Sequence, residues 1–135
     1  MKRTSTFLTL FFLSITTFAQ DLSLFKKEEF ITKGDTLRYR NLYPKNFDSS
    51  KKYPVVLFLH GRGESGSDNQ KQLANGAKLF LNDDFRNSNE VITIFPQCAI
   101  SSYWANVEIE AVQEKRFFTF VKGGEPTKAM NLLLQ

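Results

Sequence analysis

The chain has 135 residues, 41% apolar and 24% charged, which suits one modest globular domain and excludes a disordered polymer or a multidomain assembly. Lysine and arginine number 18 against 14 acidic residues, a formal charge of +4, and no basic run exceeds two adjacent residues, so no nucleic-acid footprint is present. A single cysteine, Cys98, excludes an intrachain disulfide and reads as a small buried hydrophobe beside a strand end.

Residues 1–19 have the order of a secretory leader: Lys2-Arg3, an apolar core over about 7–15, then Thr17-Phe18-Ala19 as a small-x-small cleavage site. The apolar run falls short of the roughly 20 residues that span a bilayer. The expectation is therefore export, periplasmic or extracellular, with no membrane-spanning segment left after cleavage. Removing Lys2 and Arg3 lowers the net charge from +4 to +2.

Beyond the leader, residues 28–33 and 36–43 flank the turn signal Lys33-Gly34-Asp35 and predict an antiparallel hairpin at a sheet edge. In its second arm Leu37, Tyr39 and Tyr43 fall on one face, with Arg38 and Arg40 on the other, which is expected to be half exposed to water. A polar loop ends at Tyr53-Pro54. Val55-Val56-Leu57-Phe58-Leu59 then forms an unbroken apolar run, predicting a strand buried on both faces as in a helix-covered parallel sheet.

The run stops at His60-Gly61-Arg62-Gly63-Glu64-Ser65-Gly66, a glycine-punctuated loop able to bring backbone N–H groups close to a ligand. Loops at the carboxyl ends of parallel strands are where open α/β sheets place their chemistry. Leu73, Ala74, Ala77, Phe80 and Leu81 then predict a helix over 69–81, with Ser67 and Gln70 at capping-box spacing and Gly76 costing about 1 kcal/mol against alanine. After a polar return over 82–90, Val91-Ile92-Thr93-Ile94-Phe95 predicts a second buried strand stopped by Pro96, which completes a parallel βαβ unit.

A loop over 97–106 carries Tyr103-Trp104. In residues 107–124, Phe117, Phe118 and Phe120 suggest an edge hairpin or a lid. A last helix is predicted to start at Pro126, with Ala129, Met130, Leu133 and Leu134 on its apolar face. No helix-stop signal follows, so the chain is expected to be the N-terminal part of a longer protein: a leader over 1–19, then a portion of one domain over 20–135.

The run Phe58-Leu59-His60-Gly61-Arg62-Gly63-Glu64-Ser65-Gly66 resembles the oxyanion loop of α/β-hydrolase-fold serine esterases. The resemblance is to the phospholipase/carboxylesterase and dienelactone-hydrolase-like branch, including secreted esterases related to polyhydroxybutyrate depolymerases. Tyr53-Pro54, Phe95-Pro96-Gln97-Cys98, Trp104 and Glu125-Pro126-Thr127-Lys128-Ala129-Met130 support it, and it spans roughly residues 28–135.

The resemblance implies an α/β fold in which the antiparallel hairpin leads into the parallel βαβ unit, with an incomplete sheet. It implies a carboxylic-ester hydrolase without cofactor or metal, acting on a small-molecule, lipid or polymer ester. The backbone N–H of Arg62 would be an oxyanion donor, with His60, Gly61 and Gly63 supporting the loop. His60 would brace the loop and not serve as the catalytic base. The Ser-Asp-His triad would follow Gln135, because no Gly-x-Ser-x-Gly elbow occurs and Ser65 in Gly-Glu-Ser-Gly lacks the required spacing.

Gln97, Tyr103 and Trp104 are candidates for the substrate pocket, with core packing the alternative for the two aromatics. Arg62 and Glu64 are expected to form a local surface ion pair. The alternative function is a secreted, non-catalytic binding or accessory module on the same scaffold.

Overall fold

The computed structural model describes residues 21–135, so the expected leader lies outside the described residues. Strands β1 (Lys26–Thr32) and β2 (Asp35–Leu42) form the antiparallel hairpin. Lys33 and Gly34 both take positive φ, 49° and 82°, the two-residue geometry that matches the twist of paired strands. Strand β3 (Val55–Leu57) is followed by two short helices, α1 (Ala77–Leu81) and α2 (Asp83–Ser88), and then by β4 (Ile92–Gln97). The sheet order is β1-β2-β4-β3; β2 runs antiparallel to β4, and β3 parallel to it. A separate hairpin, β5 (Val107–Val112) and β6 (Lys115–Phe120), precedes α3 (Lys128–Leu133).

One face of the sheet is closed by an aromatic cluster centred on the fully buried Phe95. Its ring stacks on Phe58 at 4.7 Å between centroids and meets Phe25 and Phe80 edge-on at 5.2 and 5.5 Å. Each such pair contributes about 0.5–1.5 kcal/mol beyond its buried area. Leu42, Leu73 and Ala77 complete this core. On the opposite face α3 lies over β2, and Leu37, Ala129 and Leu132 are buried there. A cavity of about 260 Å³ remains beside them, lined in part by Tyr39, Ile94 and the buried Asn41, whose Oδ1 lacks a hydrogen-bond partner.

Four expectations are corrected. Residues 55–59 are not buried on both faces: Val56 and Phe58 pack on the core, whereas Val55, Leu57 and Leu59 are 59%, 45% and 39% exposed. The cause is topological, since β3 is the last strand of the sheet, with one edge and the far face uncovered.

The helix over 69–81 is broken. Lys71–Leu73 is a single 3-10 turn, and α1 begins only after Gly76, which sits at φ +84°. A Cβ at Gly76 would lie 2.4 Å from Phe58 Cζ, so the turn exists to admit the Phe58 ring to the core. The cap is also shifted from Ser67 to Asp68, whose Oδ1 accepts from the Gln70 and Lys71 amides at 2.8 and 2.9 Å.

Residues 82–90 are not all loop. Asn82 caps α2 by accepting from Phe85 N–H at 3.0 Å, and Phe85 packs against the core. Finally, α3 starts one residue after Thr127, which accepts from Met130 N–H at 3.2 Å; Leu132, rather than Leu134, is its buried leucine.

Gly34, at φ +82°, has nothing within 4 Å of an added Cβ, whereas Gly76 faces the Phe58 ring. Gly34→Ala should therefore cost only the backbone penalty of about 1–2 kcal/mol. Gly76→Ala should lose about 1–3 kcal/mol more through overpacking. The two are compared by their urea midpoints, and equal losses would show that the ring moves freely aside.

Candidate active site

The loop that leaves β3 is stitched to the end of β4 residue by residue. Phe58 N–H continues the parallel ladder by donating to Ile94 O at 2.9 Å. Cys98, one residue past β4, then serves the loop with both peptide groups. Its N–H donates to His60 Nε2 at 2.9 Å, and its C=O accepts from Gly66 N–H at 2.9 Å. Because Nε2 accepts, the ring hydrogen of a neutral His60 lies on Nδ1, where Gly61 O is 2.6 Å away. His60 is buried, and Trp104 Nε1 donates to its carbonyl at 3.2 Å with the two rings edge to face.

Gln97 is the second brace. Its Oε1 accepts from Asn69 N–H at 2.7 Å, and its Nε2 donates to Glu64 O at 3.2 Å and to Asp68 Oδ1 at 3.0 Å. The side chain is fully engaged and 3% exposed, so it offers no free group to a pocket. Asn69 is the junction of the network. It adopts φ +51°, a conformation asparagine tolerates, and its carbonyl takes the Arg40 Nε–H at 2.6 Å. Arg40 itself is 5% exposed, contrary to the half-wet face expected of it.

Arg62 does not pair with Glu64. Its guanidinium crosses to the segment after β4, where Nη1 donates to Ser102 O at 2.7 Å and Nη2 to Ile100 O. The same group lies over the Tyr103 ring, 4.2 Å from the centroid. Glu64 instead accepts from Asn75 Nδ2 at 2.6 Å. Tyr103 is tied to α3 through its carbonyl, which accepts from Thr127 Oγ1. His60, Arg62, Gln97, Tyr103 and Trp104 are thus brought together, with Gly61 and Gly63 at the exposed outer turn.

The turn Arg62–Glu64 is a 3-10 turn whose internal bonds start at Glu64 N–H and Ser65 N–H. The two amides before these, Arg62 N–H and Gly63 N–H, meet no acceptor among the described residues. Two adjacent backbone donors on a rigidly anchored turn can receive an anionic oxygen.

The same loop holds no activated nucleophile. Both nitrogens of His60 are occupied, and Ser65 is buried. Burial pushes the Cys98 thiol up, so it stays protonated near neutral pH. Among the described residues no cluster of three or more metal-ligating side chains occurs, and no helix is long and apolar enough to cross a membrane.

Comparison with known proteins points one way. A solved structure described as a thermostable esterase superposes with a TM-score of 0.56 at 32% identity, over 62% of this chain and 23% of its own. The chain has part of an α/β-hydrolase fold. A probable dipeptidyl-peptidase 5 from Aspergillus terreus is 34% identical over 59 residues, 42% of this chain and 8% of the fungal protein. The chain thus spans less than a quarter of either relative's length. No family model matches it.

Sequence reasoning missed Gln97 as a brace and Arg40 as an anchor. The signal for Gln97 was its position, one residue before the Cys98 peptide that holds His60.

Asp68 gives the site a pH dependence. Amide hydrogen bonds, that from Lys71 first, lower its carboxyl from 3.8 to about 2. The folded pKa lies below the unfolded one, so the stabilisation is present above pH 3.8 and is lost as pH falls towards 2. With the side chain 39% exposed, solvent screening keeps the effect modest. Asp68→Asn retains an acceptor for the amides and removes the titration. It should flatten the stability profile between pH 4 and pH 2 in acid denaturation, whereas an unchanged profile would place the acid sensitivity elsewhere.

Proposed function

We propose that the protein is an exported serine hydrolase acting on carboxylic esters, and that these 135 residues supply its oxyanion loop. The observation that carries this reading is the pair of unengaged amides at Arg62 and Gly63, on a loop otherwise fixed to β4. Attack on an ester carbonyl builds negative charge on its oxygen. Donors already in place stabilise that charge without reorganising, and each lowers the barrier by roughly 3–4 kcal/mol. Arg62 N–H is the donor matched by motif, while His60, Gly61 and Gly63 shape the turn.

The similarity to an esterase at 32% identity supports ester chemistry over the accessory-module alternative, and the leader-like order of residues 1–19 supports export. The phospholipase/carboxylesterase branch is our finer assignment, resting on the His60-Gly61-Arg62-Gly63 and Pro96-Gln97-Cys98 motifs. The attacking serine, with its aspartate and histidine, belongs in this reading to polypeptide following Gln135. The open edge of β3 is the natural seat for the strand that would carry the serine. Tyr103 and Trp104, which lie beside the turn, are in this reading the aromatics that would meet the substrate.

Arg62→Pro tests the donor when set against Arg62→Ala, which loses the same guanidinium contacts but keeps the N–H. Proline lacks the N–H and suits the first position of a helical turn. Gly61, at φ −77° and ψ 173°, already has the conformation a residue before proline requires. The reading frame beyond Gln135 should encode a Gly-x-Ser-x-Gly elbow. In the extended protein Arg62→Pro should lower kcat on p-nitrophenyl acetate about 100- to 1,000-fold relative to Arg62→Ala, while the 135-residue chain alone should show no serine-dependent turnover. A frame without the elbow, an Arg62→Pro variant no slower than Arg62→Ala, or serine-dependent hydrolysis by the short chain would overturn the proposal.

A further inference from the structure

The β1–β2 hairpin sets two cations directly opposite one another: Lys27 is the cross-strand partner of Arg40. Two residues along the same face, Glu29 is the partner of Arg38, and these form an ion pair at 2.8 Å. Opposite charges stabilise an antiparallel pair in this position, and like charges destabilise it. The contrast is sharpened by burial, because Arg40 is 5% exposed.

Only neutral oxygens meet the Arg40 guanidinium: Asn69 O at 2.6 Å, Phe25 O at 2.7 Å and the Gln70 side-chain oxygen. Three of its five N–H donors are thus used, and no carboxylate balances its charge. Burial pulls it below its ordinary range without an opposing acidic neighbour. The Lys27 ammonium makes no hydrogen bond or ion pair among the described residues. Beside them opens a cavity of about 400 Å³, lined by Arg40, Lys26, Lys27, Gln70, Ser23 and Leu22 among others, with no acidic residue on its wall.

We propose that this cavity is a binding site for a small oxyanion, held between the two spare Arg40 donors and the Lys27 ammonium. The anion supplies the charge that the fold omits, since a buried guanidinium is favourable only when paired. The site shares no residue with the 60–66 turn and does not depend on the hydrolase reading. Phosphate and carboxylate groups both have the required chemistry, because arginine receives either through parallel N–H donors.

The test is calorimetric titration of inorganic phosphate, and separately of acetate, into the purified chain, with ionic strength held constant by sodium chloride. At least one anion should bind saturably, and the stronger of the two identifies tetrahedral or planar geometry. Lys27→Gln should weaken that binding by about tenfold. Lys27→Glu should abolish it and raise the melting temperature in anion-free buffer, because its own carboxylate then faces Arg40. The absence of saturable heat with both anions, or equal binding by the parent and Lys27→Glu, would overturn the proposal.

Discussion

The structure turns on the backbone of one residue. Cys98, just past the end of β4, donates its N–H to His60 and accepts at its C=O from Gly66 N–H, and so fixes both ends of the loop that leaves β3. An acceptor nitrogen is what the His60 position requires, and a neutral imidazole with its hydrogen on Nδ1 supplies it. The side chain that looks most like a catalytic base is therefore spent on architecture. Gln97 repeats the arrangement with a side chain in place of a peptide, holding Glu64, Asp68 and Asn69 at once. Between these anchors the turn keeps the amides of Arg62 and Gly63 free, because they are its first two N–H groups and no carbonyl within the turn reaches them.

Rigid anchoring matters because preorganised donors act only if they need not move when charge develops. Each anchor here joins the loop to β4 or to the segment behind it, and β4 is the strand whose Phe95 centres the aromatic core. The chain of dependence runs from core to strand, from strand to loop, and from loop to free amides. Arg40 extends it across the sheet by holding Asn69 from β2. The likeness to a thermostable esterase is one of overall fold, and the uncovered edge and face of β3 give the sheet the form of a partial α/β-hydrolase fold.

Elements governed by local chemistry were legible in the sequence. Lys33-Gly34 marked a turn between alternating runs, and the hairpin forms there. The apolar run before Pro96 marked β4, although the strand continues through Pro96 to Gln97, and the run before His60 marked β3, although that strand ends at Leu57. Elements decided by distant partners were not legible. The 3.6-residue spacing from Leu73 to Leu81 is real, yet the Phe58 ring demands a left-handed Gly76 and divides the segment. Arg40 alternates onto what reads as a wet face, but the carbonyls of Asn69 and Phe25 draw it into the interior. Gln97 looked like a pocket residue because nothing local reveals that Asn69, 28 positions earlier, has an amide to satisfy. Spacing and turn chemistry report on neighbours in sequence, whereas burial of polar groups is settled by neighbours in space.

Native-state amide hydrogen exchange tests the central claim most directly, because it reads each donor separately. The amides of Gly66, Asn69 and Cys98 should be protected, and those of Arg62 and Gly63 should exchange close to the rate of an unstructured peptide. Protection at Arg62 and Gly63 comparable to that at Cys98 would mean that these amides are turned inward and bonded, and the loop could not then receive an oxyanion.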